Sequence, residues 1–324
     1  MHSIAELKKS VEEALLKLNF NSSPKDLYDP IVYMLGLEAK RMRPVALLCG
    51  CELFNGDISR AMMPALGIEV FHNFTLMHDD IMDNAPLRRS NQTVHTKWNT
   101  NVAILSGDTM FVKACQLMMM TSPELIQPVM ELFHQTAIEV CEGQQLDMDF
   151  ETRSDVSIPE YLHMITNKTA VLLAASMKIG AILANAPRED AQHLYNFGKH
   201  LGIAFQLKDD LLDVFGDDKK FGKLKGGDIV ANKKTFLLLK AMELAEGKTA
   251  SDLNACMNRK DSGANERVME VTAIYEKLNI QQLTEIEMDK HFNSAQKHLD
   301  AVNAEPSAKS VLMAMANQLM KREV

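Results

Sequence analysis

The stretch His78-Asp79-Asp80-Ile81-Met82-Asp83 closes a long apolar run, and a second stretch, Asp209-Asp210-Leu211-Leu212-Asp213, closes another farther along the chain. Counted from the first aspartate of each stretch, the acids occupy positions 1, 2 and 5. Positions 1 and 5 lie on one side of an α-helix, so the spacing predicts paired carboxylates late in each helix. A helix C-terminus already carries partial negative charge. We therefore expect these six acids to require a cation, and Mg²⁺ suits carboxylate ligands.

The composition indicates a mainly helical protein. Gly (15) and Pro (10) are few for 324 residues, whereas Leu, Ala, Met, Lys and Glu are plentiful. Turn-forming residues separate segments with helical periodicity, and no segment shows the alternation typical of strands. The sequence predicts an all-α fold, a single-domain helical bundle over residues 1–324.

Charge and cysteine content restrict the partners and the compartment. The formal net charge of −8 argues against a nucleic-acid partner. No apolar stretch reaches the roughly 20 residues of a membrane span, so we expect no membrane span. Five cysteines in mixed spacing, and no signal-like pattern over residues 1–9, predict a cytoplasmic protein with reduced thiols.

Caps and prolines predict the helix boundaries. Ser3 is expected to cap the first helix, and Pro64 to open the helix that ends in the first acidic motif. Pro123 and Pro128 predict a break and a restart. The polar residues 87–96 are expected to form a loop.

Basic residues gather close to the acidic motifs. Arg88-Arg89 follows the first motif, a lysine-rich segment (219–225) follows the second, and Lys40-Arg41-Met42-Arg43 forms a third cluster. Cation-binding acids beside guanidinium and ammonium donors fit a diphosphate ligand. Each cluster taken alone is equally typical of a solvated loop.

Other polar residues leave two interpretations open. His72 lies seven residues before Asp79, on the same helix face, and alone is more typical of a core histidine. Lys168 precedes an apolar run and either extends to solvent or reaches into a cavity. Gln206, three residues before Asp209, is equally ambiguous.

Together these motifs resemble those of the trans-isoprenyl diphosphate synthases of the polyprenyl synthetase family. Residues 205–213 are similar to the family's second aspartate-rich motif, and 78–83 with Arg88-Arg89 to the first. Residues 39–44 resemble its isopentenyl diphosphate motif. The remaining matches are Lys168-Thr169-Ala170, Gly143-Gln144 with Asp147, and Lys223 with Asp228 and Lys233.

The departures from the family pattern leave every charged group in place. They lie at Glu38-Ala39 and Ser90, where the family has glycines, at Gln92 in place of proline, and at Asn232 in place of glycine. We expect them to affect loop geometry only.

The resemblance implies a helical bundle around a deep central cavity, usually dimeric, that uses Mg²⁺ (three per active site). It implies that Asp79, Asp83 and Asp209 bind the ions, supported by Asp80, Asp210 and Asp213. The predicted catalytic residues are Asp79, Asp80, Asp83, Lys168, Thr169, Gln206 and Asp209, with Thr169 and Gln206 near the reacting carbons.

The resemblance also implies two diphosphate substrates. The allylic diphosphate (dimethylallyl, geranyl or farnesyl) is expected to contact Arg88, Lys168, Lys223 and Lys233. Isopentenyl diphosphate is expected to contact Lys40, Arg43, His72 and Arg89. The implied reaction ionises the allylic substrate, joins it to isopentenyl diphosphate and eliminates a proton.

Product length is expected to depend on bulky side chains below the first motif. Phe74 lies roughly 7.5 Å before Asp79 along the helix axis, and Phe71 roughly 12 Å. In the family a bulky residue at the Phe74 position marks short products. Both rings can equally be core aromatics. We expect a C15–C20 product, leaning slightly to geranylgeranyl.

Other functions fit the motifs less well. A long-chain polyprenyl diphosphate synthase is opposed by Phe74. A class I terpene cyclase lacks a counterpart of the Lys40–Arg43 cluster. A non-catalytic subunit of a heteromeric synthase typically has degraded acidic motifs, and both are intact here. A helical scaffold protein would leave the motifs unexplained.

Overall fold

A computed structural model describes residues 1–216, 226–258 and 263–321. The described part is helical almost throughout, which confirms the all-α prediction. Its helices are, in chain order, α1 (Ile4–Lys17), α2 (Lys25–Gly36), α3 (Met42–Glu52), α4 (Ile58–Met82), α5 (Val94–Lys97), α6 (Thr100–Met118), α7 (Pro123–Thr152), α8 (Ile158–Ile165), a π-helix (Thr166–Ala170), α9 (Val171–Leu183), α10 (Arg188–Phe215), α11 (Gly227–Val230), α12 (Phe236–Leu244), α13 (Gly247–Asn258), α14 (Ala264–Lys277), α15 (Ile280–Ala301) and α16 (Pro306–Met320).

The chain forms two compact units, and each is described by itself. The first unit contains Met1–Thr136, Leu172–Tyr195 and Leu299–Met315. The second contains Ala137–Val171, Asn196–His298 and Ala316–Val324, apart from residues outside the described part. The first acidic motif belongs to the first unit and the second motif to the second unit. A single domain over residues 1–324 stays a prediction.

In the first unit, α4 packs against α3 and α6. Helix α3 also approaches α9 at backbone distance. A β-carbon on Gly180 would lie 2.0 Å from the carbonyl oxygen of Leu47, and one on Gly50 would lie 2.4 Å from that of Met177. Glycine at both positions therefore allows the two helix backbones to touch.

The start of α4 differs from the sequence prediction. The expectation that Pro64 opens this helix is wrong, because α4 begins at Ile58 and Pro64 lies inside it. The carboxylate of Asp57 accepts a hydrogen bond from the backbone N–H of Ser59 at 2.9 Å and caps the helix. This cap and the burial of the following turns outweigh the hydrogen bond that a proline lacks.

The expected break before Pro123 is present, because α6 ends at Met118, but the expected restart at Pro128 is wrong. Helix α7 begins at Pro123, a position where the missing N–H has no consequence, and continues through Pro128. Pro123 therefore marks the start of α7, whereas Pro64 and Pro128, in the second turns of α4 and α7, do not mark a helix start.

The predicted polar loop at 87–96 contains a small hairpin. Strand β1 (Leu87–Arg88) pairs antiparallel with β2 (Asn91–Gln92), and α5 follows. The two residues between the strands, Arg89 and Ser90, have φ of 52° and 62°. This is the two-residue hairpin geometry that favours glycine or asparagine. The hairpin reverses the chain directly after α4.

The second unit has two groups of buried side chains. One surrounds Tyr161 and Leu207, and the other surrounds Leu237 and Tyr275. Helix α8 begins with a capping box between Ser157 and Glu160 and ends at Ile165, where the chain passes into the π-helix. Apolar periodicity did not predict this π-helix, because one additional residue in a turn leaves no sequence signal of its own.

The described residues include no helix with both the length and the apolar character needed to cross a bilayer.

Candidate active site

The acids of the first motif lie at the C-terminal end of α4. Asp83 is its C-cap, and Asp80 is buried, with 2% of its surface exposed. Burial raises the pKa of Asp80, while Arg88 opposes that shift. Arg88 donates to Oδ1 of Asp80 from Nε and Nη2, both at 2.7 Å, and its Nη2 lies 3.6 Å from Oδ2 of Asp79. The hairpin thus returns the predicted diphosphate ligand Arg88 to the motif.

A group of basic side chains surrounds His72, which lies on α4 about two turns before Asp79. Nη1 of Arg43 lies 3.0 Å from Nε2 of His72. Because a guanidinium can only donate, His72 accepts through Nε2 and is neutral. Its pKa is lowered well below the usual value by burial and then by Arg43, with Arg89, Arg88 and Arg41 adding to the effect. The contact of Arg43 with a neutral imidazole, and the positive charges of the arginines near it, form a region suited to an anion.

The remaining members of the predicted isopentenyl diphosphate set also lie in the first unit. Lys40 is exposed in the connection between α2 and α3. Arg89 lies at the hairpin turn. Arg43, His72, Arg88 and Arg89 are near enough to interact electrostatically.

In the second unit the π-helix carries Lys168 and Thr169. A β-carbon on Gly143 would lie 2.2 Å from the backbone nitrogen of Lys168, so α7 and the π-helix touch at this glycine. One turn further along α7, Oδ2 of Asp147 accepts a hydrogen bond from Nζ of Lys168 at 2.6 Å, and Nζ of Lys233 lies 3.9 Å away. Two predicted diphosphate ligands are thereby held by one carboxylate.

A chain of hydrogen bonds joins the π-helix to the second acidic motif. Thr169 donates to the amide oxygen of Gln206 at 3.0 Å, and the amide nitrogen of Gln206 donates to Oδ1 of Asp210 at 2.9 Å. The hydroxyl group of Tyr161 donates to the other oxygen of Asp210. Asp210 is therefore held on both oxygens.

The charges around Asp210 are unbalanced. Burial raises the pKa of Asp210 well above the usual value, and the neighbouring carboxylates Asp228 and Asp209 raise it further. Asp213 accepts a hydrogen bond from the backbone N–H of Asp228 at 3.0 Å, which brings Asp228 into the group. A cleft of about 90 Å³ adjoins these residues. It is lined by Asp147, Tyr161, Met164, Ile165, Lys168, Thr169, Gln206, Asp210, Asp228, Lys233, Lys234 and Thr235.

The acids fit Mg²⁺ bound together with phosphate oxygens. Within the described ranges, no three histidine, cysteine or acidic side chains are arranged to hold a metal ion by themselves. Mg²⁺ usually takes only one or two carboxylates and completes its shell with water and substrate phosphates. Crowded, buried carboxylates such as Asp80 and Asp210 suit that use. Lys223, another predicted ligand, lies outside the described residues.

Four phenylalanines pack together beside the part of α4 that precedes the acids. Phe71 and Phe74 belong to α4, Phe111 to α6 and Phe133 to α7. Phe71 lies 5.6, 5.9 and 5.2 Å, between ring centroids, from Phe74, Phe111 and Phe133. Phe74 and Phe111 stack at 5.4 Å, and Phe74 contacts His78 at 4.8 Å. The predicted length-setting residues Phe71 and Phe74 thus belong to a larger aromatic cluster, whose other members the sequence did not identify.

Sequence reasoning assigned no role to Tyr161, Asp147 or Glu69. Tyr161 is 49 positions from Asp210, and no motif connects them. Asp147 matched the family pattern without a predicted role. Its position one turn after Gly143 was the signal that could have placed it near Lys168. Glu69, an acid within an apolar run, was a signal for a buried ion pair.

Comparison with known proteins assigns the chain to a protein family. The family model described as polyprenyl synthetase matches residues 24–277. The chain belongs to the polyprenyl synthetase family. This confirms the resemblance seen in the sequence and the prediction that the chain is a prenyltransferase.

Individual relatives and a solved structure of the polyprenyl synthetase family support this assignment. Geranylgeranyl diphosphate synthase of Methanosarcina mazei is 40% identical over 235 residues, 72% of each chain. The enzyme of the same name from Sulfolobus acidocaldarius is 36% identical over 306 residues, 92% of this chain and 90% of that one. A crystal structure of a geranylgeranyl pyrophosphate synthase superposes with a TM-score of 0.94 at 40% identity, covering 100% of both chains.

Proposed function

We propose that this polyprenyl synthetase condenses isopentenyl diphosphate with an allylic diphosphate and releases a trans-prenyl diphosphate of C15–C20, with geranylgeranyl diphosphate favoured. The observation that carries the proposal is that each acidic motif has its own basic partners, Arg88 in the first unit and Lys168 with Lys233 in the second. The similarity to enzymes named geranylgeranyl diphosphate synthase supports the short-chain assignment.

Polyprenyl synthetases are generally Mg²⁺-dependent, and we propose three ions for each active site, bound by Asp79, Asp83 and Asp209 with Asp80, Asp210 and Asp213 in support. When bound, the ions would neutralise the diphosphate that leaves the allylic carbon. Crowded carboxylates whose pKa values are raised support this part of the proposal, since nearby positive charge would relieve their repulsion.

The basic side chains would hold the two diphosphates. We assign Arg88, Lys168, Lys223 and Lys233 to the allylic substrate, and Lys40, Arg43, His72 and Arg89 to isopentenyl diphosphate. Arg88 and Lys168 now pair with Asp80 and Asp147. These pairs keep both cations positioned, and both can be shared with phosphate oxygens.

The reaction then follows from charge and position. The allylic C–O bond breaks, and the diphosphate leaves with the electron pair while fixed cations stabilise it. The double bond of isopentenyl diphosphate attacks the allylic carbon and forms the new C–C bond. Thr169 and Gln206, linked by a hydrogen bond, provide fixed dipoles near the reacting carbons. The condensed cation loses a proton to the released diphosphate, which restores a double bond.

The phenylalanine cluster supports a short product. Phe74 lies on α4 five residues before Asp79, and its ring stacks on Phe111 of α6 in the first unit. Phe74 and Phe71 lie roughly 7.5 and 12 Å before Asp79 along the helix axis, so bulky rings there oppose the growth of long chains.

We also propose a homodimer and a cytoplasmic location. Leu105 and Val112 of α6 and Met119, its C-cap, follow one another at seven-residue spacing and are 59%, 57% and 49% exposed. This spacing places them on one side of the helix, as in helix–helix interfaces. We call them the α6 stripe, and a second copy of the chain is the partner that we propose for it.

The test is mass spectrometry of products made by purified protein from isopentenyl diphosphate, Mg²⁺ and dimethylallyl, geranyl or farnesyl diphosphate in turn. We expect C15–C20 prenyl diphosphates that disappear with EDTA and return when Mg²⁺ is restored. Chains of C30 or more would replace the short-chain assignment by a long-chain one. Absence of condensation with every starter would contradict the proposal and favour a non-catalytic subunit.

A further inference from the structure

One arginine of the basic cluster at 40–43 is directed into the protein. Arg41 is 6% exposed, whereas its neighbour Lys40 is exposed. Nη1 of Arg41 donates to Oε1 of Glu69 at 2.6 Å, and Nη2 donates to the carbonyl oxygens of Leu35 and Leu37 at 2.7 and 3.0 Å. Both terminal nitrogens of this guanidinium are therefore used by protein groups.

Glu69, the partner of Arg41, is itself fixed. It is 1% exposed, and Oε1 also accepts a hydrogen bond from Nδ2 of Asn73 at 2.9 Å. Asn73 is fully buried and donates at 2.8 Å to the backbone oxygen of Glu69 one turn earlier on α4. A buried pair of this kind is weak evidence for stability, and fixing the register of elements is its best-attested use.

Arg41 joins three helices of the first unit. Its side chain binds carbonyl groups at the end of α2 and a carboxylate in the middle of α4, and its backbone is the N-cap of α3. The residue has φ of 52°, a left-handed conformation that a β-carbon disfavours. The hydrogen bonds hold it there, which is typical of strain kept by its surroundings.

The positions of three predicted substrate ligands depend on these contacts. Lys40 lies in the short connection whose two ends Arg41 fixes. Arg43 is two residues further on, in the first turn of α3, and His72 is three residues after Glu69 on α4. The 3.0 Å contact between Arg43 and His72 therefore forms across the same pair of helices that Arg41 and Glu69 join.

We propose that Arg41, Glu69 and Asn73 are positioning residues that set the spacing of Lys40, Arg43 and His72 around one diphosphate group. They determine affinity for isopentenyl diphosphate without touching it. This inference rests on the proposed function, because it takes isopentenyl diphosphate as the ligand of these residues.

The first test compares Arg41→Lys with the unchanged protein. Lysine keeps the charge but cannot donate along the three directions that Arg41 uses. We expect the KM for isopentenyl diphosphate to rise at least about tenfold, because small displacements of binding groups have effects of this order. The KM for the allylic substrate and kcat should change less than about threefold, since the other diphosphate ligands remain in place.

Ser106→Ala is the matched control. The buried hydroxyl group of Ser106 donates to the carbonyl oxygen of Leu27 at 2.9 Å, so its loss loosens α2 without touching Arg41. If the effect of Arg41→Lys were only lost stability, both variants would show the same kinetics at equal folded fraction. Equal KM values for isopentenyl diphosphate in the two variants would overturn the inference.

Glu69→Gln distinguishes positioning from direct binding. If Arg41 bound the diphosphate itself, removing the carboxylate would free its charge and lower the KM for isopentenyl diphosphate. We expect the KM to rise instead, and a lowered or unchanged value would overturn the inference. Calorimetry of isopentenyl diphosphate binding to the unchanged protein distinguishes failure of this inference from failure of the proposed function. If the unchanged protein did not bind isopentenyl diphosphate, the proposed function itself would be contradicted.

Discussion

Tyr161 influences the protonation state of Asp210 through one hydrogen bond. This bond lowers the pKa of Asp210, against burial and the charge of Asp228, which raise it. Tyr161→Phe should therefore raise that pKa further, so that protons compete better with Mg²⁺. We expect the Mg²⁺ concentration for half-maximal activity to rise about tenfold to hundredfold, more at pH 6 than at pH 8, because a hydrogen bond to a charged group contributes about 1.5–3 kcal/mol. Mg²⁺ titration of the initial rate measures this.

Thr284→Val is the control for that measurement, because it removes one buried side-chain hydrogen bond of the second unit, to the carbonyl oxygen of Ile280. A similar Mg²⁺ requirement in both variants would contradict the role of Tyr161. The sequence marked Asp210 by its motif but could not mark Tyr161, since their contact depends on the packing of α8 against α10.

Three histidines of α10 and α15 predict acid sensitivity. His200 lies 3.0 Å from His291, between Nδ1 atoms, and its ring stacks on His298. Burial and then His291 lower the pKa of His200 to about 4. Burial also lowers the pKa of His291, with Lys290 and Lys199 adding to that shift and Glu287 opposing it.

The unfolded chain therefore binds protons between pH of about 6.5 and 4 that the folded chain does not. Stability must fall as the pH decreases through that range. We expect the Tm from circular dichroism to drop between pH 7 and pH 5, and to drop less in His200→Phe, which keeps a flat ring but cannot be protonated. Equal pH dependence in both proteins would contradict this assignment.

At the scale of elements, the contact between α7 and the π-helix allows no additional atom at Gly143. Gly143→Ala should displace Lys168, because the new methyl group would lie 2.2 Å from its backbone nitrogen. We expect stability to decrease by about 1–3 kcal/mol, as in other overpacked cores. Activity should decrease more than stability accounts for, since Lys168 and Thr169 move together. Urea denaturation and steady-state kinetics measure the two effects.

Gly36→Ala is the matched control, because a β-carbon there would meet nothing within 4 Å. It should leave both properties near those of the unchanged protein. Losses in the two variants that are equal in size would show that the close contact at Gly143 is unimportant.

The stacking of α4 against α6 through Phe74 and Phe111 predicts product length. Phe74→Ala should lengthen the product by at least one C5 unit, and Phe111→Ala should do the same, because each removes half of the stacked pair. Mass spectrometry of the products measures this. Phe20→Ala, a buried phenylalanine of the first unit outside the cluster, should leave the length unchanged. An unchanged product in Phe74→Ala would remove Phe74 as the limit.

Elements differ in how well their sequence predicts them. Ser3 placed the start of α1 correctly, because local hydrogen bonds, here a capping box with Glu6, decide it. Pro64 and Pro128 misled, because tertiary packing carries α4 and α7 through prolines. The partner of Phe74 was unpredictable for the same reason, since Phe111 belongs to another helix.

For the whole molecule, the α6 stripe predicts the oligomeric state. Leu105→Lys combined with Val112→Lys places two charges on the face that we propose a second copy covers. We expect the mass measured by light scattering during size-exclusion chromatography to change from dimer to monomer. Leu16→Lys is the matched control, because Leu16 is an 86% exposed leucine on α1 outside the stripe. A dimer that persists in the double variant would contradict the interface.

The sequence predicted the fold class and the family of the whole chain, because two distant acidic motifs and their basic companions are jointly specific. It did not predict the division into two units. That division follows from long-range packing, in which residues 172–195 join the first 136 residues.

The π-helix limits how this protein tolerates the deletion of a residue. Such a turn is an α-helix that holds one inserted residue. Deleting one residue from Thr166–Ala170 would remove the inserted residue and restore regular α-helical winding between α8 and α9. Lys168 and Thr169 could then not both keep their present directions. Surface loops of this chain can gain or lose a residue during evolution, whereas this five-residue segment must keep its length.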